Sequence, residues 1–97
     1  MLEKDIVAAI MRHLKTVPGC FAWKEHGGMY GTSGIPDIIC CYRGRFVGLE
    51  VKTQDGKVSK LQEITLAKIH AAGGVGMVVR CVDEVKTIIE TIRRASG

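Results

Sequence analysis

A predicted β-hairpin in the middle of the chain constrains the fold more than any other sequence feature. Residues 37–42 and 46–53 form two strand-like runs, and the Arg43-Gly44-Arg45 segment between them is typical of a turn. Because side chains alternate across a strand, Glu50 and Lys52 share one face of the second run. The apolar residues on its other face, which we expect in the core, are Val47, Leu49 and Val51.

Apolar spacing on either side of the hairpin predicts three helices and two further strands. A glycine-rich loop over residues 27–34 separates two of the strands. Ser59 stands three residues before Gln62, the spacing of a capping box at a helix N-terminus. The predicted elements are a helix over 2–16, strands over 20–24, 37–42 and 46–53, a helix from 59 to about 72, a strand over 75–81, and a final helix containing Val85, Ile88, Ile89 and Ile92. The sequence therefore predicts an α/β fold with the order α-β-β-β-α-β-α.

Length and composition limit the chain to one small domain. At 97 residues it has room for a single core, so we treat residues 1–97 as one domain. A hydrophobic share of 46% with 25% charged residues argues against a disordered chain. No apolar run approaches the roughly 18 residues that span a bilayer, so we expect a soluble, unexported protein without membrane association.

The net charge of the chain bears on its binding partners, and the spacing of its cysteines indicates the cellular compartment. Fourteen Lys and Arg against ten Asp and Glu give a net charge of +4, which allows a polyanionic partner without requiring one. The cysteines at positions 20, 40, 41 and 81 lack the paired Cys-x-x-Cys spacing of a structural zinc site. We interpret them as small reduced hydrophobic residues, which predicts a reducing compartment such as the cytoplasm.

Asp37 and Glu50 are the candidate centre of a functional site. Asp37 opens the first run of the hairpin directly after Gly34-Ile35-Pro36, from where its carboxylate could reach Glu50 on the neighbouring strand. Two adjacent carboxylates repel each other, and a hard divalent cation such as Mg²⁺ or Mn²⁺ makes the pair favourable. The ammonium of Lys52 is suited to orient or deprotonate a water, or to meet a phosphate, held by that cation. Hydrolysis of a phosphodiester requires these groups.

Structural roles are the alternative for each of these residues. Asp37 is also typical of a turn, and Glu50 with Lys52 could form a surface ion pair worth at most about 1 kcal/mol. Glu3 precedes Ile6 at helical spacing and extends the apolar stripe of the first helix, while Gln62 stands on the inward stripe of the second. A first-turn acid favoured by the helix dipole and a capping-box residue are equally good explanations of Glu3 and Gln62.

Taken in order, these motifs resemble those of a nuclease family. Gly34-Ile35-Pro36-Asp37, then Leu49-Glu50-Val51-Lys52-Thr53, then Ser59-x-x-Gln62, is similar to the virus-type replication-repair nuclease (VRR-NUC) domain of the PD-(D/E)XK nuclease superfamily. The resemblance implies a restriction-endonuclease-like core, with a mixed central sheet flanked by helices, and a homodimer. It also implies that Asp37, Glu50 and the main-chain carbonyl of Val51 ligate Mg²⁺ or Mn²⁺, that Lys52 assists the attacking water, and that Glu3 and Gln62 complete the site.

DNA is the partner that this resemblance implies. The expected activity is a metal-dependent endonuclease selective for branched, flap or four-way DNA, in phage or bacterial replication, recombination or repair, without an organic cofactor. A non-catalytic DNA-binding module of the same fold and a metal-dependent RNase are the alternatives. We expect DNA contacts from the 24–34 segment and from turns bordering the proposed centre, namely from Lys24, His26, Tyr30, Arg43, Arg45, Lys57 and Lys60.

Overall fold

Residues 1–26 and 33–96 are described by a computed structural model. Their secondary structure has the predicted order α-β-β-β-α-β-α. The elements are α1 (Glu3–Leu14), β1 (Cys20–Lys24), β2 (Ile38–Tyr42), β3 (Arg45–Val51), α2 (Lys60–Ala71), β4 (Val75–Val79) and α3 (Val82–Ala95). Within these ranges no helix combines the length and the apolar character needed to cross a membrane.

The strands form one mixed sheet in the order β1-β2-β3-β4. β1, β2 and β3 pair antiparallel, whereas β3 and β4 run parallel and are connected through α2. Between β2 and β3, Arg43 and Gly44 have φ angles of 53° and 78°, as in the two-residue turns that match the twist of a hairpin. The predicted hairpin is thus confirmed, and β3 is an interior strand of the sheet.

Two strands end earlier than the sequence predicts. β3 ends at Val51, although the N–H of Lys52 still donates to the carbonyl of Val79 at 3.0 Å. Thr53 instead starts a turn, in which its carbonyl accepts a hydrogen bond from the N–H of Gly56 at 3.0 Å. β4 ends at Val79 because the N–H of Arg80 turns to the carboxylate of Glu84 at the start of α3.

Different helices cover the two faces of the sheet. α1 and α3 pack on the face that carries the predicted core residues of β3, and α2 packs on the opposite face. Leu66 is the one buried residue of α2. The main core residues between the sheet, α1 and α3 are Ile6, Ile10, Leu14, Ile38, Val47, Leu49, Val51, Val79, Val85 and Ile89. Glu50 points away from this core, toward the side of α2.

Gly76 of β4 lets α2 approach the sheet closely. A Cβ built on Gly76 would lie 3.0 Å from the carbonyl oxygen and 3.2 Å from the Cα of Leu66, which are main-chain atoms of α2. Gly48 pairs with Gly76 across β3 and β4, but a Cβ there would meet side-chain atoms of Ile69 and Pro36, each at 3.0 Å. α2 can therefore lie this close to the sheet only because residue 76 is a glycine and has no side chain.

We expect Gly76→Ala to lower the free energy of unfolding by about 1–3 kcal/mol, because the added methyl group meets helix backbone that cannot rotate away. Gly48→Ala is the matched control, and it should cost less because the Cδ1 end of Ile69 can rotate away, which leaves the Pro36 ring as the one rigid group that the added methyl group meets. Urea denaturation followed by circular dichroism measures both values. Equal stabilities of the two variants would contradict this account of α2 packing.

Candidate active site

Asp37 and Glu50 face each other at one end of the β2–β3 pair. Ile38 pairs with Leu49, and continuing this antiparallel register by one residue sets Asp37 opposite Glu50. The Oδ2 atom of Asp37 accepts a hydrogen bond from the N–H of Val51 at 2.8 Å, which holds this carboxylate against β3. Glu50 is 3% exposed and is the one buried charged residue in the described part of the chain. The structure therefore brings an aspartate and a buried glutamate together on adjacent strands.

Burial raises the pKa of the Glu50 carboxyl to about 8. Desolvation is the largest cause, hydrogen bonding and repulsion by Asp37 follow, and Glu3 adds a smaller repulsion. The ammonium of Lys52 acts in the opposite direction and does not outweigh these effects. Ionised Glu50 therefore needs more positive charge than the protein supplies, and a cation between the two acids would provide it.

Lys52 lies beside Glu50 in a sheltered position. Its Nζ atom is 4.0 Å from Oε2 of Glu50, and the two side chains are 15% and 4% exposed, respectively. This degree of burial does not fit the alternative of a solvated surface ion pair. Glu50 and Lys52 share one face, as predicted, and the Lys52 ammonium therefore lies beside the acid pair.

Gln62 connects α2 to the acid pair. Its Nε2 atom donates to Oε2 of Glu50 at 3.1 Å. The same residue completes the predicted capping box, because its Oε1 atom accepts from the N–H of Ser59 and its own N–H donates to the Ser59 hydroxyl. Gln62 thus caps α2 and contacts Glu50 at the same time.

Glu3 requires a correction. We expected it to extend the buried stripe of α1, but its side chain is exposed, and the buried stripe begins at Ile6. The reason is its position as the first residue of the helix, one turn before the packed part. Its negative charge nevertheless raises the pKa of Glu50, so Glu3 lies near the site without being buried in it.

Comparison with known proteins identifies the fold. The sequence matches no family model and no curated protein. A solved structure titled "VRR_NUC domain" aligns with a TM-score of 0.74 and 23% sequence identity, over 91% of this chain and 94% of its own. Another, titled "VRR_NUC domain protein", aligns with a TM-score of 0.73 and 17% identity, over 100% of this chain and 91% of its own. This chain has the VRR_NUC fold. The predicted fold class and the resemblance behind it are confirmed.

The oxygen donors at the centre of this VRR_NUC fold suit a hard divalent cation. Asp37 and Glu50 supply carboxylates, and Val51 is adjacent with a main-chain carbonyl. No third side chain of His, Cys, Asp or Glu joins them to form a metal cluster among residues 1–26 and 33–96. The rest of a coordination shell would therefore come from main-chain oxygen and water, as is usual for Mg²⁺.

Four of the predicted DNA-contacting residues lie at the same end of the sheet as the acid pair. Lys24 pairs with Ile38, next to Asp37, and His26 follows it at the end of β1. Lys57 and Lys60 flank the N-terminal cap of α2. All four side chains are exposed. Tyr30 lies outside the described residues.

Arg43 and Arg45 do not border the acid pair, contrary to our expectation. They lie at the hairpin turn, where Tyr42 pairs with Arg45, and Asp37 lies at the opposite end of the same two strands. At about 3.3 Å per residue, roughly 20 Å separates the turn from the acids. The guanidinium of Arg43 instead lies over the ring of Tyr42, 5.9 Å from its centroid.

Two residues near the site were missed by the sequence analysis. The N–H of Glu25 donates to the carbonyl of Asp37 at 2.8 Å, and its carboxylate accepts a hydrogen bond from the indole of Trp23 at 2.8 Å. Extending the pairing of β1 with β2 by one residue would have found it. Arg80 contacts the loop after Lys52 from 24 to 27 residues away in sequence, and no local pattern indicates such a contact.

We expect the thermal stability of the metal-free protein to report the burial of Glu50. Its carboxyl pKa is raised from 4.5 to about 8 on folding, so its contribution to stability falls as pH rises through that window. Glu50→Gln removes this penalty while keeping an acceptor for Gln62. The melting temperature of this variant should therefore exceed that of wild type by more at pH 9 than at pH 5. For a domain of this size, each 1 kcal/mol of stability corresponds to about 4–8 °C in melting temperature.

Differential scanning fluorimetry with a chelator present measures these melting temperatures. Glu63→Gln, at an exposed position in the first turn of α2, is the control and should show the same difference at both pH values. A pH-independent difference for Glu50→Gln would show that the carboxyl titrates normally.

Proposed function

We propose that the chain is a divalent-metal-dependent endonuclease that hydrolyses DNA phosphodiesters. The observation that carries this proposal is buried Glu50 opposite Asp37, with the Lys52 ammonium 4.0 Å away. A buried carboxylate with a second acid beside it is unfavourable as a purely structural feature, because both charges lose hydration and repel each other. The likeness to structures titled as VRR_NUC domains supports the same activity.

Asp37, Glu50 and the main-chain carbonyl of Val51 would hold Mg²⁺ or Mn²⁺. When bound, such an ion supplies Lewis-acid chemistry, since it neutralises developing charge on a phosphate and lowers the pKa of a water. Asp37 is oriented for this role by the N–H of Val51, and Glu50 by the amide of Gln62. These hydrogen bonds hold the acids in place before any ligand arrives.

Lys52 would orient the attacking water in line with the phosphorus, and its positive charge would stabilise the negative charge that develops as the water attacks. Its side chain is 15% exposed, so the ammonium is accessible from one side while most of its stem is packed. Gln62 and Glu3 complete the site, the first by holding Oε2 of Glu50 and the second through its charge. Cleavage would expel the 3′ oxygen and leave 5′-phosphate ends.

Exposed basic residues support DNA as the substrate. Lys24, Lys57 and Lys60 lie at the same end of the sheet as the acid pair, and His26 lies beside them. Such side chains contact phosphates and add affinity without sequence preference. The resemblance of the motifs to VRR-NUC domains adds the expectation of selection by DNA shape, in favour of branched, flap or four-way substrates.

The biological setting follows from the same proposal. We place the activity in replication, recombination or repair in a bacterium or in a phage-infected host, where the protein would act in the cytoplasm. The support is the resemblance of the motifs and the four cysteines, which are free thiols suited to a reducing compartment.

Wild-type protein should cut DNA only with Mg²⁺ or Mn²⁺ present. Asp37→Asn, Glu50→Gln and Lys52→Met should each lower the cleavage rate by about 10²-fold or more, because each removes a group acting on the reacting phosphate. Asp83→Asn and Lys86→Met are matched controls on α3, where both residues are exposed, and should cut like wild type. The assay compares duplex, nicked, flap and four-way DNA with single-stranded and duplex RNA on denaturing gels.

Three results would contradict the proposal. Cleavage that persists in the Glu50 and Lys52 variants would show that other residues act. Binding of DNA without cutting under any metal condition would favour the non-catalytic module. Cleavage of RNA alone would favour the RNase.

A homodimer is part of the proposal, and an exposed apolar surface supports it. α2 packs over β3 and β4, which leaves apolar residues of β1 and its neighbours open to solvent. Ile35, Phe46 and Leu61 line a groove of about 500 Å³ beside α2, and Trp23 lines a neighbouring groove together with Ile35 and Phe46. We call this the α2-side apolar surface; its members are Phe21, Trp23, Ile35, Phe46 and Leu61, which are 39–70% exposed. Contiguous aromatic exposure of this kind is typical of an interface.

Sedimentation velocity should give twice the mass of the chain for wild type and a monomer for Phe46→Glu, because a charge would be buried at the interface. Met77→Glu is the matched control, since Met77 is 40% exposed but lies on the other face of the sheet, paired with Leu49. A dimer that survives Phe46→Glu would place the interface elsewhere. A monomeric wild type would contradict the homodimer.

A further inference from the structure

Arg80 holds the loop that follows Lys52. Its Nη1 atom donates to three main-chain carbonyls, those of Thr53, Gln54 and Gly56, at distances between 2.5 and 3.3 Å. All three belong to one turn, closed by the hydrogen bond from the N–H of Gly56 to the carbonyl of Thr53. One cationic group thus gathers the carbonyls of the turn on one side.

The same turn packs against the side chain of Lys52. A Cβ built on Gly56 would lie 3.3 Å from the Cβ of Lys52 and 3.2 Å from Oγ1 of Thr53. The backbone of Gly56 therefore lies directly over the base of the Lys52 side chain. A shift of the turn would change the space in which this side chain can move.

Arg80 is itself held in place at the end of the sheet. Its N–H donates to Oε1 of Glu84 at 2.6 Å, and the preceding residue, Val79, accepts from the N–H of Lys52 at 3.0 Å. Arg80 and Lys52 are thus the residues that directly follow the paired ends of the parallel strands β4 and β3. Arg80 contacts Gly56 by a hydrogen bond, and Gly56 lies so close to Lys52 that an added Cβ would be only 3.3 Å from the Lys52 Cβ.

We propose that Arg80 is a positioning residue for Lys52, acting through the turn formed by Thr53, Gln54 and Gly56. This assignment rests on the proposed nuclease function for its consequence in catalysis, but the contact itself can be tested without activity. Arginine suits the task better than lysine, because the planar guanidinium fixes the direction of the Nη1 hydrogens, whereas a lysine ammonium ends a flexible stem. A direct contact of Arg80 with a DNA phosphate is the competing explanation.

The first test measures the accessibility of the Lys52 amine. Wild type, Arg80→Gln and Arg80→Lys are treated with an acetylating reagent, and the rate at each lysine is read by mass spectrometry. Lys52 should react at least about 3-fold faster in both variants, because the turn no longer confines it. Lys86 is the internal reference, and Arg12→Gln, an exposed change on α1, is the control. An unchanged rate at Lys52 in Arg80→Gln overturns the proposal.

The second test separates positioning from DNA contact. If Arg80 positions Lys52, then Arg80→Gln, Arg80→Lys and Gly56→Ala should each lower kcat by about 10-fold or more with KM and metal-free DNA affinity nearly unchanged. If Arg80 binds phosphate, Arg80→Gln should raise KM, Arg80→Lys should keep affinity, and Gly56→Ala should behave like wild type. That second pattern overturns the proposal. An inactive wild type would contradict the nuclease function, and the acetylation rates would still decide whether Arg80 positions Lys52.

Discussion

The burial of one carboxylate, that of Glu50, determines the arrangement of the groups around it. A carboxylate removed from water must be neutralised, paired or protonated. The neighbours of Glu50 include the acid of Asp37, the ammonium of Lys52 and the amide of Gln62, which lie just before β2, just after β3 and in α2. The hairpin must therefore pair and α2 must pack on the sheet before Glu50 is in this environment.

Because side chains alternate along β3, one face of this strand is apolar and the other carries a charged residue. One face of the strand packs Val47, Leu49 and Val51 between the sheet and two helices, while the other carries Gly48 and Glu50 toward α2. The apolar face provides the rigidity that keeps the charged face in register. Functional groups placed on an interior strand are therefore held more precisely than groups on a loop would be.

Local patterns were sufficient for the elements and for the approach of the acids. Alternation along 37–53 and the turn between the runs give the pairing of Asp37 with Glu50, since a hairpin has only one register for a given turn. The exposure of Glu3 was not predictable from periodicity, because helical spacing does not reveal where packing begins. Arg43 and Arg45 lie far from the acids because the turn and the acids are at opposite ends of the hairpin. The charge pattern of the sequence does not show at which end a residue lies. Arg80 depends on a contact between distant segments, and sequence spacing carries no information on it.

Gln62 caps the N-terminus of α2 and also contacts the carboxylate of Glu50 on the sheet beneath it. The first turn of α2 can fray only if the capping pair with Ser59 opens, and the same amide then leaves Glu50. Water entering at that moment would rehydrate the carboxylate and return its acidity toward that of a free side chain. Fraying of the first turn of α2 would therefore be accompanied by rehydration of Glu50.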